Sequence, residues 1–265
     1  MKLLATDLDK TLLPNSGAKY DGTLPLFSRL SKKFVLAYVT GRNYEQVKKA
    51  RKKYKIPDAD FIITEVGTVI LSKQRNQYEE LQAWTDHLRK NTKRWNIKSF
   101  QAKLKGIRGM CLQEKENQNE FKLSYYVNNP ECGEKLVKKI RKILNWYKGS
   151  IQIVCSEDID REVGFVDILP RCAGKLCALS FVRKKCKVKF QDVLYSGDSG
   201  NDISLLSYMY NGVIVKNAAK DVIKQVKANN RHVYVAKGKY GLNGNYSSGV
   251  IEGMVHFGWI SEKFA

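Results

Sequence analysis

The chain predicts an α/β fold: a mostly parallel sheet covered by helices on both faces, with a smaller α+β unit inserted into it. Three observations lead there. Short apolar runs alternate with segments of helical periodicity toward both ends of the chain, the pattern of strands joined by crossover helices. Small polar clusters follow several of those runs, where open α/β sheets place their ligands. Between about 84 and 169 the alternation lapses into two long basic helical stretches and three strand-like runs.

Residues 2–6 are an apolar run long enough for a short buried strand, and 34–39 read as a second. Residues 43–53 carry apolar positions at helical spacing, 61–64 form a third strand, and a hairpin follows through 67–71. In the central region, 122–127, 151–155 and 164–168 are strand-like. The alternation then resumes with a helix from Lys175, a strand at 193–196, a helix from Asn201, a strand at 213–215, and helices near 221–228 and 250–257. Residues 1–82 and 171–265 are thus assigned to the core and 83–170 to the inserted α+β unit, although no Gly/Ser-rich linker marks its edges.

Composition narrows the function classes. In 265 residues, 43% hydrophobic content is ample for a packed core, and no apolar stretch approaches the ~18 residues of a membrane span. The chain opens directly into a strand without a leader pattern, so a cytoplasmic protein with no membrane partner is expected; a monomer is the expected state. Cys111, Cys132, Cys155, Cys172, Cys177 and Cys186 include no C-x-x-C pair, which suits reduced, buried thiols rather than a disulfide framework or a zinc site. His87, His232 and His256 lack ligand-like spacing. The net charge of +21 is densest at 48–55, 135–142 and 183–189, interleaved with apolar residues as on solvated helix faces. A polyanion such as RNA is the alternative, but no nucleic-acid module accompanies the charge, so nucleic acid is not an expected partner. The positive field instead steers small anions toward the protein.

The chemistry concentrates at four places. Asp7-Leu8-Asp9-Lys10-Thr11 puts two carboxylates one residue apart at a strand end, where an extended segment points both the same way and calls for a divalent cation; the other reading is a solvated loop. Thr40-Gly41-Arg42 offers a hydroxyl, a close backbone N–H and a helix N-terminus to a phosphate, or is a plain capped turn. Lys175 opens a helix behind Ala173-Gly174, where its ammonium either neutralises phosphate or faces solvent. Gly197-Asp198-Ser199-Gly200-Asn201-Asp202 supplies Asx residues that either ligate a metal or cap a helix.

In their joint order these four sites resemble the motifs of the haloacid-dehalogenase superfamily of aspartate-nucleophile phosphohydrolases. Val39-Thr40-Gly41-Arg42, Val66-Gly67-Thr68, Lys122-Leu123-Ser124, Asp167-Ile168-Leu169-Pro170, Val215-Lys216-Asn217-Ala218 and the closing Gly249-Val250-Ile251 extend the likeness to the sucrose-phosphate phosphatase branch. The resemblance implies a Rossmann-like core with a C2-type α+β cap. It implies Asp7 as nucleophile, a role that suits a carboxylate ionised at neutral pH, and Asp9 as acid and base. Mg2+ would be held by Asp7, the Asp9 backbone carbonyl and Asp198, with Asp202 orienting one of its waters. Thr40, Gly41 and Lys175 would hold the phosphoryl oxygens, and Asn201 would hold Lys175 or the phosphate. Lys122 and Asp167 from the cap, with Gly67 and Thr68 from the core, would contact the sugar. The expected substrate is sucrose 6-phosphate or a related disaccharide phosphate; a broad hexose-phosphate phosphatase or phosphomutase is the alternative within the class, and a non-catalytic anion- or RNA-binding protein the alternative outside it. Lys10 departs from the pattern, since many relatives carry glycine or asparagine there, and it adds a cation near the mouth of the site.

Overall fold

A computed structural model describes residues 1–14, 22–75, 77–127, 133–158 and 163–264. Its centre is β1 (Leu3–Thr6), flanked by β2 (Val35–Val39) and β10 (Val193–Gly197), both parallel to it. The sheet continues through β3 (Phe61–Thr64) on one side, and through β11 (Asn211–Ile214) and β12 (Tyr234–Val235) on the other, all parallel. Two antiparallel strands, β4 (Val69–Gln74) and β5 (Gln77–Glu80), close the β3 edge, giving the order β12-β11-β10-β1-β2-β3-β4-β5. This is the mostly parallel sheet that the alternation predicts. The chain leaves β1 toward β2 and later returns beside β1 as β10, so the strand order reverses at β1, the place where doubly wound sheets open a ligand crevice.

Alternation along the strands assigns the two faces. Leu3 and Ala5 pack with α6 (Lys175–Lys185), α7 (Ile203–Tyr208) and α8 (Lys220–Asn229). Leu4 packs on the opposite face with α1 (Leu24–Ser31), α2 (Tyr44–Tyr54) and α9 (Tyr246–His256). Helix α1, which opens with a proline in its first turn, was not among the expected elements. Helix α2 starts at a reciprocal capping box between Asn43 and Gln46, buries Val47 and Ala50, and turns its lysines outward. The basic run at 183–185 occupies the last turn of α6, where cations oppose the negative end of the helix dipole. No helix among the described residues is long and apolar enough to cross a membrane.

A second, wholly antiparallel sheet follows the order β6 (Met110–Leu112), β7 (Leu123–Val127), β9 (Val163–Pro170), β8 (Ile151–Asp158). Helices α4 (Ile97–Leu104) and α5 (Gly133–Ile143) close a separate apolar cluster on it, including Phe100, Leu123, Ile140 and Ile168. Helix α3 (Gln82–Asn91), which a boundary at 83 would place in the insertion, belongs to the core by its packing. Its Trp84 and Leu88 are buried in the core cluster, the Trp84 ring lies 5.1 Å from Phe181, and its indole N–H donates to the Thr68 carbonyl at 3.2 Å. Cys155, Cys172, Cys177 and Cys186 are half-buried, whereas Cys111 is exposed rather than buried, and Cys132 lies outside the described residues.

Candidate active site

The carboxyl ends of β1, β3 and β10 and the start of α6 meet at one buried point. Asp7 follows β1, and its backbone N–H donates to the Ser196 carbonyl on β10 at 2.9 Å, which ties it to the neighbouring strand. Lys175, first residue of α6, donates to Asp7 Oδ1 at 3.0 Å, Asn201 Oδ1 at 2.7 Å and Asp202 Oδ1 at 2.7 Å. Asp202 is fully buried and saturated. Its Oδ1 also accepts from the Tyr195 hydroxyl at 2.5 Å, and its Oδ2 accepts from the backbone N–H groups of Asp198 and Ser199 at 3.2 Å. Gly197 makes room for this: a Cβ there would stand 2.7 Å from the Asp202 carboxyl carbon. Asp198 accepts from the Thr11 hydroxyl at 2.7 Å.

Asp7, Asp198 and Asp202 bring carboxylate oxygens within 4.8 Å of one another, all buried. Three carboxylates facing one ammonium leave excess negative charge, and the electrostatics follow from that. Burial pushes Asp7 well above the usual carboxylate range; Lys175 opposes this, and Asp202, Asp198 and Asp9 reinforce it. Among the groups around Asp7, Lys175 is the one that favours its ionised form. Asp198 is pushed up to about 7, by burial first and then by Asp202. Burial opposes the charge on Lys175, yet Asp202 and Asp7 hold its ammonium above the usual lysine value. Hard oxygen donors with net negative charge suit a divalent cation such as Mg2+.

Asp9 does not join this cluster. The strand ends at Thr6 and the chain bends at Leu8, between the two aspartates, so the same-side geometry of an extended Asp-x-Asp does not apply. The Asp9 side chain is 50% exposed and is gripped by Arg42, Nε to Oδ2 at 2.8 Å and Nη2 to Oδ1 at 2.5 Å. Arg42 follows Thr40 and Gly41, and its backbone N–H donates to the Thr40 hydroxyl at 3.2 Å. Asp9 therefore stands at the rim beside the Thr40-Gly41 turn.

The four residues expected to read sugar lie where the two sheets meet, and each is engaged. Gly67, at φ 91, touches the helix that carries Lys175: a Cβ on it would lie 2.6 Å from the Lys175 backbone nitrogen. Thr68 accepts from the Asn119 amide at 2.8 Å. Lys122 pairs with Glu65 at 2.6 Å, and Asp167 accepts from Ser124 at 2.5 Å. Burial raises both the Glu65 and the Asp167 carboxyl, and Lys122 pulls each back. Thr11, Arg42, Glu65 and Tyr195 carry no role in the sequence reading. Thr11 and Arg42 sit inside the recognised motifs, whereas Tyr195 reads as an ordinary strand residue and Glu65 as a turn residue.

Comparison with known proteins closes the assignment. Residues 1–258 match the profile of the Sucrose-6F-phosphate phosphohydrolase family. The chain belongs to that family. It is 33% identical over 264 residues to a protein of Nitrosococcus oceani described as HAD-like hydrolase, covering 96% of this chain and 71% of that one. It is 27% identical over 264 residues to the mannosylfructose-phosphate phosphatase of Agrobacterium fabrum, covering 97% of each. The fold superposes on the Synechocystis sp. PCC6803 sucrose-phosphatase, solved with sucrose and phosphate, at a TM-score of 0.79, with 24% identity over 97% of this chain and 98% of that one. As a member of the sucrose-6F-phosphate phosphohydrolase family with the haloacid-dehalogenase fold, the chain is a phosphoric monoester hydrolase of sugar phosphates.

Proposed function

We propose that this chain is a Mg2+-dependent phosphatase of sucrose 6-phosphate or a related disaccharide phosphate, working through an aspartyl-phosphate on Asp7. The observation that carries the reading is Lys175: one buried ammonium within 3.0 Å of Asp7, Asn201 and Asp202 stands where a phosphoryl group attacked by Asp7 would need positive charge. Asp7, Asp198 and the Asp9 carbonyl would hold Mg2+, with Asp202 keeping Lys175 and the 198–199 backbone in place. When bound, the ion supplies charge that offsets the carboxylates and the phosphoryl oxygens.

Asp7 attacks phosphorus while the bond to the sugar oxygen breaks, and Asp9, turned away from Arg42 and protonated from solvent beforehand, delivers that proton to the leaving oxygen. Asp9, now a carboxylate, takes a proton from water; the water oxygen attacks phosphorus and Asp7 leaves as a free carboxylate. Thr40, the Gly41 N–H and Lys175 hold the phosphoryl oxygens through both displacements. The inserted α+β unit covers the crevice, excluding bulk water and presenting the sugar-reading surface.

The test is phosphate release from sucrose 6-phosphate, mannosylfructose phosphate, trehalose 6-phosphate, glucose 6-phosphate and mannose 6-phosphate, with Mg2+ and with EDTA. One strong Mg2+-dependent disaccharide substrate is the expected result. Even turnover across the panel would replace the disaccharide assignment with a broad hexose-phosphate phosphatase, and no turnover would overturn the enzyme reading.

A further inference from the structure

The buried cluster around Lys175 holds one group that the phosphate chemistry leaves without a task, the hydroxyl of Tyr195. Tyr195 is fully buried on β10, two residues before Gly197, so the two positions share one face of the sheet. The fold makes room for its ring. Its register neighbours are Ala5 on β1 and Gly212 on β11, a row of small, large and small residues across three strands. Gly197 leaves the space that the Asp202 carboxyl fills, and the tyrosine, one place back along the same face, meets that carboxyl with its hydroxyl at 2.5 Å. Phenylalanine would fill the same room, so packing alone gives no reason for the oxygen.

Hydrogen-bond supply gives one. An ammonium has three N–H donors, and Lys175 commits all of them: to Asp202 and Asn201 at 2.7 Å each and to Asp7 at 3.0 Å. A phosphoryl oxygen beside Asp7 receives a Lys175 proton by taking the one aimed at Asp7, while Asp202 and Asn201 keep the other two. Asp202 is the charged anchor of the pair, and its Oδ1 accepts from Lys175 and Tyr195 together. Its Oδ2 is filled from the other side by the Asp198 and Ser199 N–H groups and the Ser199 hydroxyl, at 3.2 Å each. Burial, then Asp202 and Asp7, hold Tyr195 well above the usual tyrosine range, so its hydroxyl stays a neutral donor. Without it, Lys175 is the one donor left to Asp202 Oδ1 among the described residues, and a buried carboxylate short of a donor draws its remaining cation closer.

Building on the sugar-phosphate reading, we infer that Tyr195 is a positioning residue: its hydroxyl shares Asp202 Oδ1 with Lys175 and so keeps the ammonium where one proton can pass from Asp7 to a phosphoryl oxygen. Tyr195 acts through Asp202. Because charge on the phosphoryl oxygens changes most in the transition state, an ammonium drawn toward Asp202 costs rate more than substrate binding.

The experiment measures kcat and KM of wild type, Tyr195→Phe and Lys175→Met on the preferred sugar phosphate of the panel with Mg2+, below the melting temperature of each. Inhibition by orthovanadate, which takes the five-coordinate shape of a transferring phosphoryl group, and by the free product sugar, which has no phosphoryl group, is measured alongside. Tyr195→Phe should lower kcat about tenfold with KM changed less than about threefold, weaken orthovanadate about tenfold, and leave inhibition by the sugar unchanged. An unchanged kcat, or a loss in which both inhibitors weaken equally, would reduce Tyr195 to core packing and overturn the inference. A wild-type rate in Lys175→Met would sink the underlying reading as well, whereas a slow Lys175→Met beside a Tyr195→Phe that behaves as wild type sinks this inference alone. Should Tyr195→Phe fail to fold, Tyr195→Met, a flexible apolar side chain without a donor, carries the same comparison.

Discussion

Lys175 and Asp7 meet at 3.0 Å across 168 residues of chain, with both side chains almost fully buried. The same ammonium serves Asp202 at 2.7 Å, so it pairs with two of the three clustered carboxylates. Removing one partner from such a buried arrangement leaves uncompensated charge, at a cost of about 3–5 kcal/mol. Lys175→Met should therefore lower the melting temperature sharply in EDTA, regain part of the loss with Mg2+, and turn over at least about a hundredfold more slowly. Melts with and without the ion, together with phosphate-release assays, check this; an unchanged melt in EDTA would contradict the charge balance.

Asp7→Asn separates chemistry from stability. The substitution removes one of three crowded negative charges while keeping the shape, so the metal-free fold should be as stable as wild type or more so. Turnover should fall at least about a thousandfold, because the amide cannot act as the nucleophile. Wild-type activity in this variant would remove Asp7 from its role.

Stability in EDTA should depend on pH with a definite sign. The Asp198 carboxyl has its usual value near 3.8 when unfolded and is pushed up to about 7 in the fold, and Asp7 is raised as well. Between those limits the folded protein keeps protons that the unfolded chain has released, so stability falls as pH rises, by at most about 1.4 kcal/mol per pH unit for each such proton. Mg2+ needs the ionised carboxylates, so its protection should grow over the same range. Melting curves between about pH 5 and pH 8, with EDTA and with Mg2+, should diverge as pH rises; parallel curves would refute the coupling.

Lys10 adopts φ 58, and its carbonyl accepts from the Asn217 amide at 2.6 Å, which holds the turn in place. A left-handed backbone favours glycine or asparagine over lysine at this position. Lys10→Asn should raise stability by about 0.5–1 kcal/mol, since asparagine tolerates this conformation, while Lys10→Gly should gain less because it loosens the unfolded chain. Denaturant titration of the two variants distinguishes them.

Strand β1, the alternation around it and the motif residues at strand ends were legible from local pattern, because apolar period and helix or strand ends depend on near neighbours in the chain. The same locality hid the rest. Asp9 looks equivalent to Asp7 in sequence, but the chain bends at Leu8 and Arg42 holds the Asp9 carboxylate at the rim. Trp84 looks like the start of the insertion, but its ring packs against Phe181 in the core. Tyr195 reads as strand filler until the fold brings its hydroxyl to Asp202, and Glu65 as a turn residue until the second sheet brings Lys122 to it. The sequence by itself determined most of the strands and helices and singled out the candidate reacting groups. Only the tertiary structure decided which charges share a buried volume, because burial and pairing arise between segments far apart along the chain, where no local spacing reports them.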